Sequence, residues 1–551
     1  MKKILILSSL MGLLLTTTSC REEFLQSEPT ETLANPSAQA KLNGLYLMMV
    51  NTGTGGTTGH DDYGQKGYDL VSDMLSADMV LSGVTYGWYR NIANLTATTD
   101  FTNNANYQPW RYYYRIAYAA NDVIAGLGGN DAVPASSADK AAMGQAKAMR
   151  AYAYFYLTQY FTTKYDPAAP AIPLYIDAGV QAQPKAKQSE IYAQIVKDLT
   201  DAVTLLQGFS RANKGVINLD VAKGLLAYTY AAMGENAKAA ALSQSIISNF
   251  PKTNKEQTAF IGTEGNEGKG GGFNDLKTSS WMWGFDLTEA NDLDLISWWG
   301  QADVFSYSYS WVGDSKAIDY DLYDAMRTDD VRRNQFATVV EFDPTFDPKN
   351  PNAASYLLNP DGTFVLNDKG EKILSSTKYP KGYVLERMYF DPTKNADDYM
   401  KVSRGSISYE AVPVNKFYAP ERILGGQRII TTDYLFMRAD EFHLLAAETL
   451  AKSGNEAQAK DILKNFLTDR LNSVSYIDGL SGAALLNEIY LQTRIEFWGE
   501  GKSYLAMKRN KATIKRGPNH LFYEGQIFSY DDDRLSMDIP QAEINNNPKL
   551  K

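Results

Sequence analysis

Apolar positions recur on one helical face over long stretches of this chain. In residues 149–161, Met149, Tyr152, Ala153, Tyr156, Leu157 and Tyr160 fall at the spacing of one side of an α-helix. The segment 110–124 has the same character, and Gly126, Gly128 and Gly129 break the two apart, so an antiparallel pair is predicted. The helical pattern begins at about Ser37. Its clearest unit is 221–251, read as two helices about Gly234. Small residues at Ala227 and Ala239 let the helices approach, Tyr230 fills the groove beside them, and Pro251 stops the second. A second copy turns at Gly454, with Ala447 and Leu450 before it and Ala459 after it. Two copies at corresponding offsets predict a mostly α fold built on a tetratricopeptide-like, solenoid-like scaffold of helical pairs.

Between the copies the pattern changes. Residues 252–430 are rich in Gly, Asp, Asn, Ser and Pro, with short β-like pieces at 280–287 and 375–389 and a loop at 343–351. Trp281, Trp283 and Phe285 alternate like one face of a strand and are assigned to the core. Helix resumes at Asp433 and runs with breaks to about Ala512, and the last forty residues are expected to drape over the surface. The chain divides into a leader (1–19), a tether (20–36), an N-terminal helical part (37–251), a loop-rich, irregular insert (252–430), and a C-terminal helical part with an irregular tail (431–551).

The leader changes the picture most. Lys2 and Lys3 precede an apolar run at 4–15, and small residues at 16–19 lead into Cys20, the sole cysteine. That is the arrangement of a lipoprotein signal peptide, with Cys20 the lipidated residue and the apolar run too short to span a bilayer. The mature chain is expected to be anchored to a membrane without crossing it. A lipidated Cys20 leaves no thiol for a disulfide, a thiolate metal site or a nucleophile. The three histidines, His60, His443 and His520, lie far apart in sequence and give little support to a His-based metal or hydrolytic site. A net charge of −10 without a long basic run argues against a nucleic-acid partner. Tyrosines number 36 against 22 phenylalanines, an excess of rings with a polar handle that suits wet helix packing and sugar faces alike.

Candidate ligand residues are the aromatics outside the helical ladders. One cluster is Tyr86, Trp88, Tyr89 and Arg90, in a Gly-containing loop after an acidic helix at 69–78; the other is Trp298, Trp299, Tyr307, Tyr309 and Trp311, in a Ser/Gly/Tyr-rich stretch. Loops mounted on a rigid frame are where binding usually resides. Asp73 and Asp78 are assigned to a solvated helix surface in preference to a sugar site. Glu441 and Glu448 lie two helical turns apart, a spacing open to a glycosidase pair, but their place inside repeat-like helices favours structural ion pairs. Residues 262–272 are glycine-rich without the Lys-Ser/Thr ending of a phosphate loop. The acidic runs at 289–295 and 530–534 lack the spacing of a calcium loop, so no metal and no cofactor is expected.

Several segments together resemble the SusD/RagB family of outer-membrane nutrient-binding lipoproteins. They are Trp110, Tyr114, Asn121 and Ile124; residues 145–161 with Arg150 and the Tyr/Phe ladder; Tyr323, Asp329, Arg332 and Arg333; Tyr434, Arg438, Glu441, Leu444, Ala447 and Glu448; and Arg494, Glu496, Glu500, Gly501 and Arg509. Ser503 and Ala506 stand where the family commonly has Arg and Asp. Arg21, Glu22 and Glu23, after the cysteine, resemble the export signal of surface lipoproteins of Bacteroidetes. The resemblance implies four tetratricopeptide-like pairs, with an irregular half carrying the ligand site. It further implies an outer-membrane, exterior-facing lipoprotein without enzymatic activity that captures oligosaccharide, or in some members peptide. The partner so implied is a SusC-like TonB-dependent transporter. A surface α-helical glycosidase and a pure interaction scaffold are the rival readings.

Overall fold

The computed structural model describes residues 36–259, 273–312, 314–336, 411–420 and 426–550, together with 341–342, 359, 363, 365–367, 369–370 and 383–384. Cys20 and its tether, residues 262–272, the loop at 343–351 and most of 375–389 lie outside the described residues.

Helix α1 (Ala38–Leu47) starts where the sequence predicts, with the Ser37 hydroxyl accepting from the Ala40 amide. It is followed by α2 (Gln65–Leu75), α3 (Asn104–Gly126), α4 (Ser137–Phe161), α5 (Gln188–Leu205), α6 (Leu219–Met233) and α7 (Asn236–Ile247). After the insert come α8 (Asp440–Lys452), α9 (Glu456–Leu467), α10 (Gly482–Glu496) and α11 (Ser503–Asn510). Both tetratricopeptide-like units turn where expected: Gly234 and Gly454 have φ of 79° and 84°, a left-handed conformation that favours glycine. The aromatic ladder of α3 and α4 is the packing between them, with Tyr113 and Tyr156 stacked at 5.4 Å. Arg150, fully buried on α4, joins three elements by binding Asp198 of α5, Asn121 of α3 and the Ile176 carbonyl.

The pairs before and after the insert close on each other. Gly224 of α6 leaves room for the Phe442 ring of α8, and the Tyr228 hydroxyl donates to Glu441 Oε2 at 2.7 Å. One expectation fails here. The segment at 434–438 is not the start of a helix but a strand, Tyr434–Arg438, antiparallel to Trp281–Phe285. Its five residues are all buried, and pairing with the Trp281 and Trp283 strand satisfies the backbone that such burial would otherwise strand. Trp281 and Trp283 are core, as their alternation predicts. The tail is also more ordered than expected, with a hairpin of Thr513–Lys515 and Ile527–Ser529 and a short helix Gln541–Asn546.

A buried charge network holds the two kinds of structure together. Arg438 pairs with Glu500, Glu496 and Asp440; Arg470 pairs with Asp440 and Glu496; Arg332 pairs with Asp330 and Glu496; Lys416 pairs with Glu500. Four cations thus meet four carboxylates. Burial opposes ionisation of Glu496, but Arg470, Arg438 and Arg332 outweigh it and hold the carboxyl well below its usual range. Asp73 and Asp78 correct the sequence reading: neither is solvated. Asp73 accepts from the Gly499 and Gly501 amides and Asp78 pairs with Arg494 at 2.6 Å, tying α2 to the α10–α11 turn. Glu448 pairs with Arg509 and Lys452, so it serves as a structural charge.

Two stability tests follow. Burial alone would raise the Glu448 carboxyl, yet Arg509 and Lys452 draw it down from 4.5 to about 2. A carboxyl depressed on folding stabilises above its unfolded value, so roughly 3 kcal/mol should be lost as pH falls from about 4.5 to 2. Urea unfolding midpoints measured across that range should fall, and the fall should be shallower in Glu448→Gln; an equal slope in both would contradict the assignment. Arg438→Met should lose about 3–5 kcal/mol in the same assay at pH 7, because Asp440, Glu496 and Glu500 each lose a cation and the buried cluster is left with one more carboxylate than cation.

Candidate functional site

The site forms where three loops are fixed from beneath. The segment after the strand Met79–Leu81 is held by one carboxylate: Asp314 accepts from the Thr85, Tyr86 and Gly87 amides at 2.6, 2.8 and 3.1 Å. Asp314 is itself placed by the strand Lys316–Ile318, antiparallel to Met79–Leu81. Gly87 makes the turn at φ 78°, and Tyr89 follows in a left-handed conformation, φ 64°, that a non-glycine residue adopts only under constraint. That constraint is its hydroxyl, which donates to the Tyr63 hydroxyl at 2.7 Å. The second loop, 303–311, is gathered by Asp303, whose carboxylate accepts from the Phe305 and Ala419 amides and the Ser306 hydroxyl. The third, 53–62, folds around Asp62, which accepts from the Gly55 and Thr57 amides.

These loops bring Trp88, Tyr86, Tyr309 and His60 together. His60 stacks on Trp88 at 5.0 Å with an interplanar angle of 1°. Tyr309 meets Tyr86 and Trp88 edge to face at 5.1 and 6.1 Å, and its hydroxyl shares a 2.6 Å hydrogen bond with His60 Nδ1. Below the cluster, buried Lys316 donates to Gln301 Oε1, and Gln301 Nε2 donates to the His60 carbonyl. Burial drives the Lys316 ammonium down to about 7, with Asp314 and Asp61 opposing the shift.

Trp88 also walls a cleft of about 720 Å³. The cleft carries polar groups at Thr57, Asp61, Asn91, Asn103 and Gln108, and Gln108 Nε2 donates to Asp61 Oδ1 at 3.1 Å. Burial pushes the Asp61 carboxyl up, an effect that the Gln108 hydrogen bond partly offsets. An aromatic wall with donors and acceptors converging on one concavity can stack a flat apolar face and satisfy hydroxyls around it.

Of the residues singled out by sequence, the structure unites Tyr86 and Trp88 with Tyr309. Tyr307 and Trp311 form a further aromatic pair at 5.9 Å, with the Arg428 guanidinium 4.0 Å over Tyr307. Arg90 is exposed and does not line the cleft. Tyr89, 3% exposed, contributes wall and anchorage, since its hydroxyl is engaged. Trp298 and Trp299 are a correction. Each is 1% exposed, and they pack edge to face on one another and Trp298 on Phe417, so neither ring is open to a ligand. They sit on a buried turn of helix, Trp298–Ala302, capped by Ser297, which the surrounding polar residues conceal in the sequence. His60, Asp61, Gln108 and Asp314 are absent from the sequence prediction, because nothing in their neighbours announces a chain fold that joins position 60 to 309 or 85 to 314.

The same fold recurs in solved structures. A SusD-like carbohydrate-binding protein from Bacteroides vulgatus aligns over 93% of this chain and 96% of its own with a TM-score of 0.66 at 20% identity. A surface glycan-binding protein A from Bacteroides thetaiotaomicron, solved with laminarihexaose, aligns over 92% and 97% with a TM-score of 0.57 at 16% identity. In sequence, SusD-like protein P25 of Formosa agariphila is 24% identical over 188 residues, a match covering 33% of this chain and 34% of that relative's length. Residues 23–217 match a family model described as starch-binding associating with outer membrane, and residues 227–551 match the model of the SusD family. With the second of these models covering more than half of the chain, the chain belongs to the SusD family.

Proposed function

We propose that this protein is a lipoprotein, anchored through Cys20 in the outer membrane and facing the cell exterior, that captures oligosaccharide and passes it to a SusC-like TonB-dependent transporter without altering it. The observation that carries the reading is the cluster of Tyr86, Trp88, Tyr309 and His60, in which Trp88 also walls a polar cleft. Tyr86 is 57% exposed and Trp88 is half-buried, so both rings can be reached from solvent. The stacking of His60 and the three amide bonds to Asp314 hold the platform in place before ligand arrives, which reduces the ordering that binding requires. Two relatives of the same fold are described as glycan-binding, and that agrees with a sugar ligand. Glu441 and Glu448 are taken up by Tyr228, Arg509 and Lys452, which speaks against their acting as a glycosidase pair.

The test is affinity electrophoresis of residues 21–551 through gels of laminarin, starch, xyloglucan and other neutral polysaccharides. The protein should be retarded in at least one gel, and Trp88→Ala should weaken that retardation at least about tenfold, near 1.4 kcal/mol. Asp314→Ala should weaken it too, by freeing the loop that presents Trp88. Equal retardation of wild type and Trp88→Ala would remove the site assignment.

A further inference from the structure

A second concavity lies on the other side of Tyr107. Its volume is about 800 Å³, and α3 supplies its floor. Tyr107, Trp110, Tyr114 and Tyr118 follow one another at three- and four-residue steps and so share one helical face. Such a stripe is ordinarily core. Here only Trp110 is core, at 3% exposed; Tyr118 is 66% exposed and Tyr107 and Tyr114 are only half-buried. Tyr175 meets Tyr114 edge to face at 5.9 Å from the opposite wall.

The charged groups on the walls are balanced. Lys41, Arg111 and Arg115 face Asp122, Asp177 and Glu543. Lys41 pairs with Asp122 at 2.7 Å, whereas the arginines donate only to neutral oxygens, Arg111 to the Tyr107 hydroxyl and Arg115 to the Thr54 carbonyl, each at 3.0 Å. A groove with equal numbers of both signs does not select a polyanion. Aromatic faces combined with both charged donors and charged acceptors suit a neutral polyol, whose hydroxyls give and take hydrogen bonds.

The two concavities are neighbours. Tyr107 lines both, and Gly56, in the wall of the first, abuts Arg111 of the second so closely that a Cβ there would stand 2.3 Å from Arg111 Cδ. Resting on the glycan-binding reading above, we infer that the α3 groove is a second carbohydrate subsite, continuous with the Trp88 cleft across Tyr107, and that the protein takes a neutral glycan chain long enough to occupy both.

Two variants test this without touching the first cleft. Tyr118→Ala removes an exposed ring, and Gly44→Trp fills the groove from α1, where a Cβ at Gly44 meets nothing within 4 Å. Both are compared with Trp88→Ala in laminarin, starch, xyloglucan and polygalacturonate gels, and by calorimetry with two- to eight-residue oligosaccharides of the retarding polysaccharide. The expected result is a loss of about threefold to tenfold in polysaccharide affinity for both groove variants. Their affinity for the shortest oligosaccharides should be unchanged, while Trp88→Ala loses both. Wild-type retention of the polysaccharide by both groove variants, with loss in Trp88→Ala, overturns the second subsite and leaves the first. Retardation in polygalacturonate alone overturns the neutral class. No retardation of wild type in any gel overturns the glycan reading and this inference with it.

Discussion

Everything above the helical frame depends on a buried charge cluster that no single element contains. Arg438 ends a strand, Asp440 opens α8, Glu496 ends α10 and Glu500 follows it, while Asp330, Arg332 and Lys416 come from the loop-rich half. Burying eight charges is expensive, and the mutual attraction offsets it only when every member is in place. That makes the cluster a weak source of net stability and a strong determinant of arrangement, since any other seating of the loop-rich half strands a charge. The Asp73 and Asp78 contacts extend the same logic to α2, and from α2 the chain runs directly into Met79–Leu81 and the loop that presents Trp88.

The site is thus placed through a short series of rigid steps. The α10–α11 turn fixes α2, the Met79–Leu81 strand fixes Lys316–Ile318, Asp314 fixes the 85–87 amides, and His60 stacks on the ring that results. The first three steps are hydrogen bonds inside the protein and the last is a ring stack. An aromatic cluster so supported is held in place without a ligand, by loops whose seating the helices fix.

The helical part of this design is legible in sequence because its signals are local. A 3.6-residue period, a glycine at each left-handed turn and small residues at close helix crossings identify both tetratricopeptide-like units without knowledge of distant contacts. The strand Tyr434–Arg438 is missed because Tyr434 to Met437 is an unbroken run of large, mainly apolar side chains with no period of two; only its partner at 281–285 decides its form. The site is half legible for the same reason. Trp88 and Tyr309 are visible as aromatics in polar loops, but Trp298 and Trp299 look identical in sequence and lie in the core. Asp73 and Asp78 read as solvated from their neighbours and are buried by residues more than four hundred positions away. Composition distinguishes a ring from a chain of other residues; only the long-range fold decides whether that ring faces Phe417 or solvent.

The central claim is that ligand meets the loop-borne platform and not the α6–α9 helical pairs. Hydrogen exchange of residues 21–551, with and without the polysaccharide-derived oligosaccharide that binds it, tests this most directly. The account predicts new amide protection in residues 55–62 and 84–91, with α6 to α9 unchanged. Protection on the α6–α9 pairs with none in those loops would contradict it and identify the helical scaffold itself as the binding surface.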